Sequence, residues 1–327
     1  MPRFKALIWM LSLATLSATA FGQTANQARP GTLNYIEGQA SIEGRPVTPN
    51  SVGNTVLESG QYLSTANGKA EILLTPGVFL RLGNDSTVQM VSPNLTHTEV
   101  KLERGSANVE ADQLYKQNVI LIDLDKGQTQ LLQNGLYTFN ADSNTVRVFD
   151  GKAAVFSGAN LQADVKPIDV KGGRQLVLTG EPARPQHFDK DTSQDDLYRW
   201  SSLRSEYLGE ANIGLAEDYA GASGFYPGWY WAGGPYGYTW LPGDGLFWSP
   251  FGYGFYSPYY LYGGGFIYGR YGRGIYPYRG GFGYRSGYAA GVRANGFHGG
   301  AVAGGGFHGG GAGGGGGFHG GGGGGHR

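Results

Sequence analysis

Four histidines form the one repeat in this sequence with the character of metal ligands. His298, His308, His319 and His326 are separated by glycine-rich spacers of about ten residues. Neutral imidazole binds Zn, Ni or Cu, and a glycine chain can gather rings at this spacing. Such a chain preforms no metal cage, so we interpret the segment first as a structureless polar repeat, with weak metal binding as the alternative. We expect no cofactor.

Catalytic motifs are the second chemistry to look for. The stretch of sequence most similar to a nucleophile elbow is Gly221-Ala-Ser223-Gly224. Its spacing does not match Gly-x-Ser-x-Gly. The sequence contains no His-Glu-x-x-His motif and no Walker loop. Asp123 and Asp125 lie two residues apart, and on one strand face they could form a carboxylate pair or bind calcium. With no third acid close in sequence, we interpret them as a polar strand end running into a turn. We therefore expect a protein that is not an enzyme.

Aromatic residues are concentrated in a Tyr-, Trp-, Gly- and Pro-rich segment, residues 221–290. The candidate contact residues there are Trp229, Trp231, Trp240, Trp248, Tyr253 and Tyr256. Their rings could stack on sugars or on other aromatic segments, including those of a second copy. They could instead fold back onto an apolar flank of the preceding domain. Interleaved arginine and tyrosine also resemble single-strand nucleic-acid binders, but export leaves no natural nucleic-acid partner, so none is expected.

Short runs of alternating apolar and polar residues, each closed by a turn, fill residues 31–182. Ala70–Leu74 and Val78–Leu82, for example, are joined by Thr75-Pro76-Gly77. Such period-two runs with no helix between them predict an all-β fold, either a two-layer sandwich or a short roll. The run 118–124 is apolar on both faces and predicts a central strand. Asn134-Gly135 predicts a hairpin between the strands on either side of it.

The pattern changes to a helical period over residues 190–212. Leu197, Trp200, Leu203 and Tyr207 recur every three or four residues after an acidic start. They predict one amphipathic helix whose apolar face closes the β-domain. A solvated linker helix is the alternative, but Trp200 would be costly to leave in water.

Composition divides the chain unevenly. The sequence has 327 residues, no cysteine and no net charge, and its 60 glycines are crowded toward the end. Without disulfides the folded part must depend on its hydrophobic core. Residues 291–327 are glycine- and histidine-rich and predict a disordered tail, because glycine at this density cannot offset its ordering entropy by burial. From Gly221 onward six arginines accompany one acid, Asp244, so a basic segment follows an acidic domain.

The start of the sequence is typical of an export signal. Arg3 and Lys5 precede an apolar run, and small residues follow up to Gly22, so residues 1–22 predict a cleaved signal peptide. The apolar run is too short and too interrupted for a transmembrane span. We therefore expect an exported bacterial protein, periplasmic, on the outer surface or secreted, with no transmembrane segment after cleavage.

Residues 31–182 resemble the FecR domain of Gram-negative export-compartment proteins. The resemblance lies in Gly31-Thr-Leu-Asn-Tyr-Ile-Glu-Gly38, the run 60–74, the run 77–86, Val100-Lys-Leu-Glu-Arg-Gly105 and Thr145-Val-Arg-Val-Phe-Asp-Gly151. These are turn glycines and core positions, so the resemblance implies a fold more than an action. In the family archetype the domain lies outside the inner membrane and receives a signal from an outer-membrane receptor. One span tethers it to a cytoplasmic segment that controls a sigma factor, and this sequence is not expected to retain such a span.

Together these features predict a non-catalytic exported interaction protein. The β-domain would bind a protein or glycan of the cell envelope, and the aromatic segment would add weak multivalent contacts or self-association. One alternative is an extracytoplasmic signal-receiving regulator that acts through a separate membrane partner. Another is a structural component of the envelope or matrix.

Overall fold

Strands make up most of the chain that the computed structural model describes, which is residues 28–158, 166–179 and 184–262. The first strands are β1 (Leu33–Ile42), β2 (Arg45–Pro46), β3 (Tyr62–Thr75), β4 (Val78–Leu82), β5 (Thr87–Asn94), β6 (His97–Arg104), β7 (Ser106–Ala111), β8 (Val119–Leu124), β9 (Gly127–Leu131) and β10 (Gly135–Asn140). They are followed by β11 (Thr145–Val148), β12 (Lys152–Ser157), β13 (Ile168–Lys171), β14 (Arg174–Val177) and β15 (Gln186–His187). After helix α1 (Asp196–Asp218) come β16 (Gly228–Trp231), β17 (Tyr238–Leu241), β18 (Leu246–Trp248), β19 (Gly254–Tyr256) and the short helix α2 (Pro258–Tyr262). This content confirms the all-β prediction.

Strands β1 to β15 form one long sheet. Its hydrogen-bonded order is β13-β12-β9-β8-β6-β5-β3-β4-β7-β10-β11-β14-β15, and β1 pairs with both β2 and β3. Strands β6 and β8 pair in parallel. The pairs on either side of them, β5 with β6 and β8 with β9, are antiparallel. The sheet curls, because β13 near one end contacts β11 and β14 near the other. The run 118–124 becomes β8, an interior strand between β6 and β9, as its two-sided apolar pattern predicts.

Two predicted turns have different outcomes. Thr75-Pro76-Gly77 does join the antiparallel pair β3 and β4, and Gly77 has the positive φ of 83° that this turn requires. The predicted hairpin at Asn134-Gly135 is wrong, because β9 pairs with β8 and β12 while β10 pairs with β7 and β11. The Asn134 side chain instead donates to the carbonyl of Asp112 and accepts from the amide of Leu114. The connection thereby passes from one part of the sheet to another.

The main hydrophobic core lies inside the curl. Because side chains alternate along each strand, one face of the sheet supplies it. Its members come from strands far apart in the sheet order and include Leu33, Leu80, Val100, Ile122, Tyr137, Val146 and Val155.

The opposite face of β3, β4 and β7 is also covered. Helix α1 and the two hairpins β16–β17 and β18–β19 lie on it, and we call residues 196–262 the cap. Leu73 and Phe79 from the sheet pack there with Trp240 and Phe255 from the cap. The predicted helix therefore exists and lies against the β-domain.

Helix α1 has the acidic start that the sequence indicates. The side chain of Asp195 caps it by accepting a hydrogen bond from the amide of Tyr198 at 2.8 Å. In mid-helix, a β-carbon at Gly209 would meet the carbonyl of Gly254 at 3.3 Å, so glycine permits close approach of α1 to β19. Neither helix of the described residues combines the length and apolarity needed to cross a membrane.

Candidate binding site

Buried charges connect the sheet to the cap. Arg81 on β4 lies opposite Glu71 on β3, and its Nε donates to Glu71 Oε2 at 2.7 Å. Its Nη1 also contacts Glu110 on β7. From the cap, Arg204 Nη2 donates to Glu71 Oε1 at 2.9 Å. Two guanidinium groups thus balance two carboxylates, all within side chains that are almost completely buried.

The buried charges shift the pKa values of the carboxyl groups in this network. Burial alone would raise the pKa of Glu71, but the charges and hydrogen bonds of Arg204 and Arg81 outweigh it and lower the pKa to about 2. Burial, reinforced by the nearby charge of Glu110, raises the pKa of Asp112 well above its ordinary value. The raised pKa favours the protonated, uncharged form of Asp112, which adds no further negative charge to the network.

Polar side chains also hold the first hairpin of the cap. Asn34 Nδ2 donates to the Tyr238 carbonyl at 2.9 Å, and Asn34 Oδ1 accepts from the Tyr238 amide at 2.6 Å. Arg204 Nη2 donates to the Tyr236 carbonyl at 2.8 Å. Each bond satisfies a hairpin backbone group that the cap would otherwise bury without a partner.

Asn212 on α1 holds both hairpins at once. Its Nδ2 donates to the Trp240 carbonyl of β17 at 2.8 Å and to the Tyr256 carbonyl of β19 at 3.2 Å. Its Oδ1 accepts from the Tyr256 amide at 2.7 Å. Nearby, the Thr239 hydroxyl donates to the Leu208 carbonyl at 2.7 Å. The hairpins are therefore fixed to the helix by hydrogen bonds as well as by apolar packing.

The six aromatic residues predicted as contact groups divide into two sets. Trp240 and Tyr256 are buried inside the cap, Trp229 is half-buried with its ring edge-on to Phe79 at 5.3 Å, and Tyr253 is half-buried beside Glu206. Trp231 and Trp248 remain 39% and 49% exposed. The structure thus places most of these rings in packing and two of them at the surface.

The four residues predicted to dock the helix also divide. Leu197 and Trp200 are buried against the sheet, and Trp200 Nε1 donates to Glu37 at 2.9 Å. Leu203 and Tyr207 face outward. The positions of α1 that face the sheet and the hairpins are occupied there by a series of polar residues instead. That series is Ser201, Arg204, Ser205 and Asn212.

A tyrosine cluster on the cap did not appear among the predicted contact residues. It consists of Tyr219, Phe225, Tyr226, Tyr230 and Tyr259. Phe225 is its buried centre, with ring centroids 5.8 Å from Tyr230 and 5.6 Å from Tyr259. Tyr226, Tyr259 and Tyr219 are 76%, 51% and 36% exposed. In the sequence, Tyr219 follows directly after the end of α1, and the other four residues lie in the aromatic segment that comes after it.

The remaining predicted site residues cannot be placed. His298, His308, His319 and His326 lie outside the described residues, as do residues 1–27, which include the predicted signal peptide, and the rest of residues 263–327. Within the described ranges, no group of three or more His, Asp or Glu side chains is arranged to hold a metal ion.

Comparison with known proteins gives limited matches. No family model and no curated protein matches the chain. Two solved structures of a candidate anti-sigma factor from Parabacteroides distasonis resemble it, at 11% and 12% identity and a TM-score of 0.33 each. The matches cover 43% and 48% of this chain, and 63% and 72% of those chains, so the first spans less than two thirds of its neighbour. A likeness of this size assigns neither family nor activity, and the FecR resemblance stays a prediction.

Proposed function

We propose that this protein is an exported, non-catalytic, FecR-like binding protein whose tyrosine cluster binds glycan of the bacterial envelope. The observation that carries the proposal is the exposure of Tyr226 and Tyr259, the two most exposed large apolar side chains among the described residues of the cap. An aromatic ring exposed in this way offers an apolar face for a sugar ring and a hydroxyl for a hydrogen bond.

The way the cluster is held supports a binding role. The Tyr259 ring packs edge-on against buried Phe225 at 5.6 Å, and the Tyr230 hydroxyl donates to the Tyr226 carbonyl at 2.6 Å, which holds the backbone of Tyr226. Rings fixed before binding lose little conformational entropy when a ligand arrives. Residues 225–262 are therefore better suited to present a defined surface than to act as a loose adhesive chain.

The non-catalytic part of the proposal rests on the sequence, which lacks the motifs of nucleophilic and metal-dependent catalysis. The exported part rests on the signal-like residues 1–22. A glycan of the envelope is a partner that an exported bacterial protein would meet.

The test is co-sedimentation of the chain from residue 23 onward with purified cell-wall glycan. Replacing Tyr226→Ala and Tyr259→Ala together should weaken binding by roughly tenfold or more, since 1.4 kcal/mol corresponds to a factor of ten. Tyr207→Ala is the matched control, because Tyr207 is 41% exposed on the same cap but outside the cluster. The proposal fails if the wild-type chain does not bind, or if the double variant binds as tightly as the control.

A further inference from the structure

A second polar surface lies on the sheet, away from the tyrosine cluster. Direct register partners form a row across five strands: Tyr62 on β3, Gln89 on β5, Lys101 on β6, Asp123 on β8 and Gln128 on β9. Directly paired residues point to the same face of a sheet, so these five side chains lie side by side. Their neighbours along the strands, such as Val88, Leu102 and Ile122, are buried in the core.

A cavity of about 290 Å³ opens at the end of this row. Its polar lining comes from Lys101, Asp123, Asp125 and Gln128, and Leu124, Gly127 and Gly158 complete the wall. This volume lies at the lower end of the range for small-molecule sites, roughly 300 Å³ and above. It suits a single small molecule rather than a polymer segment.

The cavity wall has hydrogen-bonding capacity that the fold does not use. Asp123 Oδ1 is buried and accepts no hydrogen bond from the described residues. Lys101 Nζ lies 2.8 Å from Glu103 and is a cationic donor at the rim. Gln128 donates to Glu99 at 3.3 Å through its amide nitrogen. The site therefore combines donors and acceptors within one small space.

Burial and the surrounding charges account for the raised pKa of Asp123. Burial raises the pKa of Asp123 to about 7, the negative charge of Glu99 adds to the rise, and Gln128 and Lys101 oppose it. Asp125 follows in the turn after β8, and Glu99 is itself paired with His97 at 3.0 Å. Both signs of charge thus line the cavity, so a strongly charged ligand of either sign would meet a like charge there.

We infer that this cavity binds a neutral, hydroxyl-rich molecule about the size of one sugar ring, held by Lys101, Asp123 and Gln128. A hydroxyl group both donates and accepts, which matches the mixture of groups in the wall. The inference does not rest on the proposed function, because the tyrosine cluster belongs to the cap and this cavity belongs to the sheet.

The test titrates the chain from residue 23 onward with glucose and with N-acetylglucosamine, followed by NMR. A ligand of about a dozen heavy atoms predicts a Kd on the order of 1 mM. Asp123→Ala and Gln128→Ala should each weaken binding by roughly tenfold, the loss of one good hydrogen bond to a charged or polar group. Asp169→Asn on β13, which is exposed and paired with Lys152, is the matched control and should bind as the wild type does.

A pH series distinguishes a binding group from a structural one. A hydroxyl bonds more strongly to a carboxylate than to a carboxylic acid, so sugar affinity should rise as Asp123 ionises around pH 7. Asp123→Asn should still fold but show no such rise. Tyr226→Ala with Tyr259→Ala should leave the sugar-dependent shifts of the cavity residues Lys101, Asp123 and Gln128 unchanged, which separates this inference from the glycan proposal. The inference is overturned if no sugar binds saturably, if cyclohexanol binds as tightly, or if both cavity variants bind like the control.

Discussion

Arg204 shows how much of this fold depends on single polar side chains. It reaches from α1 to Glu71 in the sheet and to the Tyr236 carbonyl in the first hairpin, and its guanidinium lies 4.1 Å from the ring centre of Tyr35. Nothing in the helical period marks Arg204 as buried, because arginine in an amphipathic pattern normally indicates the solvent side. Its burial follows from the presence of a complementary carboxylate on the sheet.

Replacing Arg204→Met should lower the free energy of unfolding by about 3 to 5 kcal/mol, because it leaves Glu71 buried without one of its two cationic partners. Urea unfolding at pH 7 measures the change. Arg199→Met is the control on the exposed side of the same helix and should cost less than about 0.5 kcal/mol. Similar losses in the two variants would show that the network does not stabilise the fold.

Among the elements, α1 is the one on which the cap is assembled. It contacts β4 and β7 of the sheet, β17 and β19 of the hairpins, and α2. Its period predicts a helix that docks on the β-domain, but not the polar character of its buried side. The helix also extends beyond the predicted residues 190–212, to Asp218, and this longer part includes Ala216, buried among the hairpin side chains.

Asn212→Ala should loosen the hairpins while leaving the sheet intact, since it removes three hydrogen bonds to β17 and β19. Each buried backbone group left without a partner costs about 1 to 3 kcal/mol. Hydrogen exchange should therefore accelerate at the Tyr256 amide and stay unchanged in β6 and β8. Glu210→Ala, at an exposed position of the same helix, should change neither region. Equal acceleration throughout the sheet would contradict an independent role for this residue.

At the scale of the whole molecule, the cap completes the fold of the sheet. The face of β3, β4 and β7 that it covers carries Glu71, Leu73, Phe79, Arg81 and Glu110, all of them buried. The outer face of an antiparallel sheet is usually solvated, which is what alternating strands predict. Here that face is buried too, because the cap, which includes part of the aromatic segment, packs against it.

Deleting residues 221–327 should destabilise the protein, whereas deleting residues 291–327, which their glycine content predicts to be disordered, should leave its unfolding midpoint nearly unchanged. The longer deletion removes Trp240 and Phe255, each of which contributes about 1.5 to 3 kcal/mol by burial. It also exposes Leu73 and Phe79, so dye binding to apolar surface should increase. Thermal unfolding of both truncated chains gives the comparison. An unchanged midpoint in the longer deletion would contradict a structural role for the cap.

The sequence by itself determined the parts of this protein that depend on local pattern. Period-two runs and turn residues define the strands, as in β3 and β4 around Gly77, and the three- to four-residue period with an acidic start defines α1. These features are local because backbone geometry fixes which neighbours share a face. The all-β class follows from them.

Only the tertiary structure decided which strands pair and which polar residues are buried. Asn134-Gly135 looks like a hairpin turn, yet the chain there passes to another part of the sheet, because pairing depends on contacts distant in sequence. Glu71 and Arg81 look like solvent-facing positions until Arg204, more than a hundred residues later, lies against them. Burial is a property of what covers a residue, and much of the cover of this sheet comes from residues 221–262, whose composition left open whether they contact a partner or fold back onto the domain.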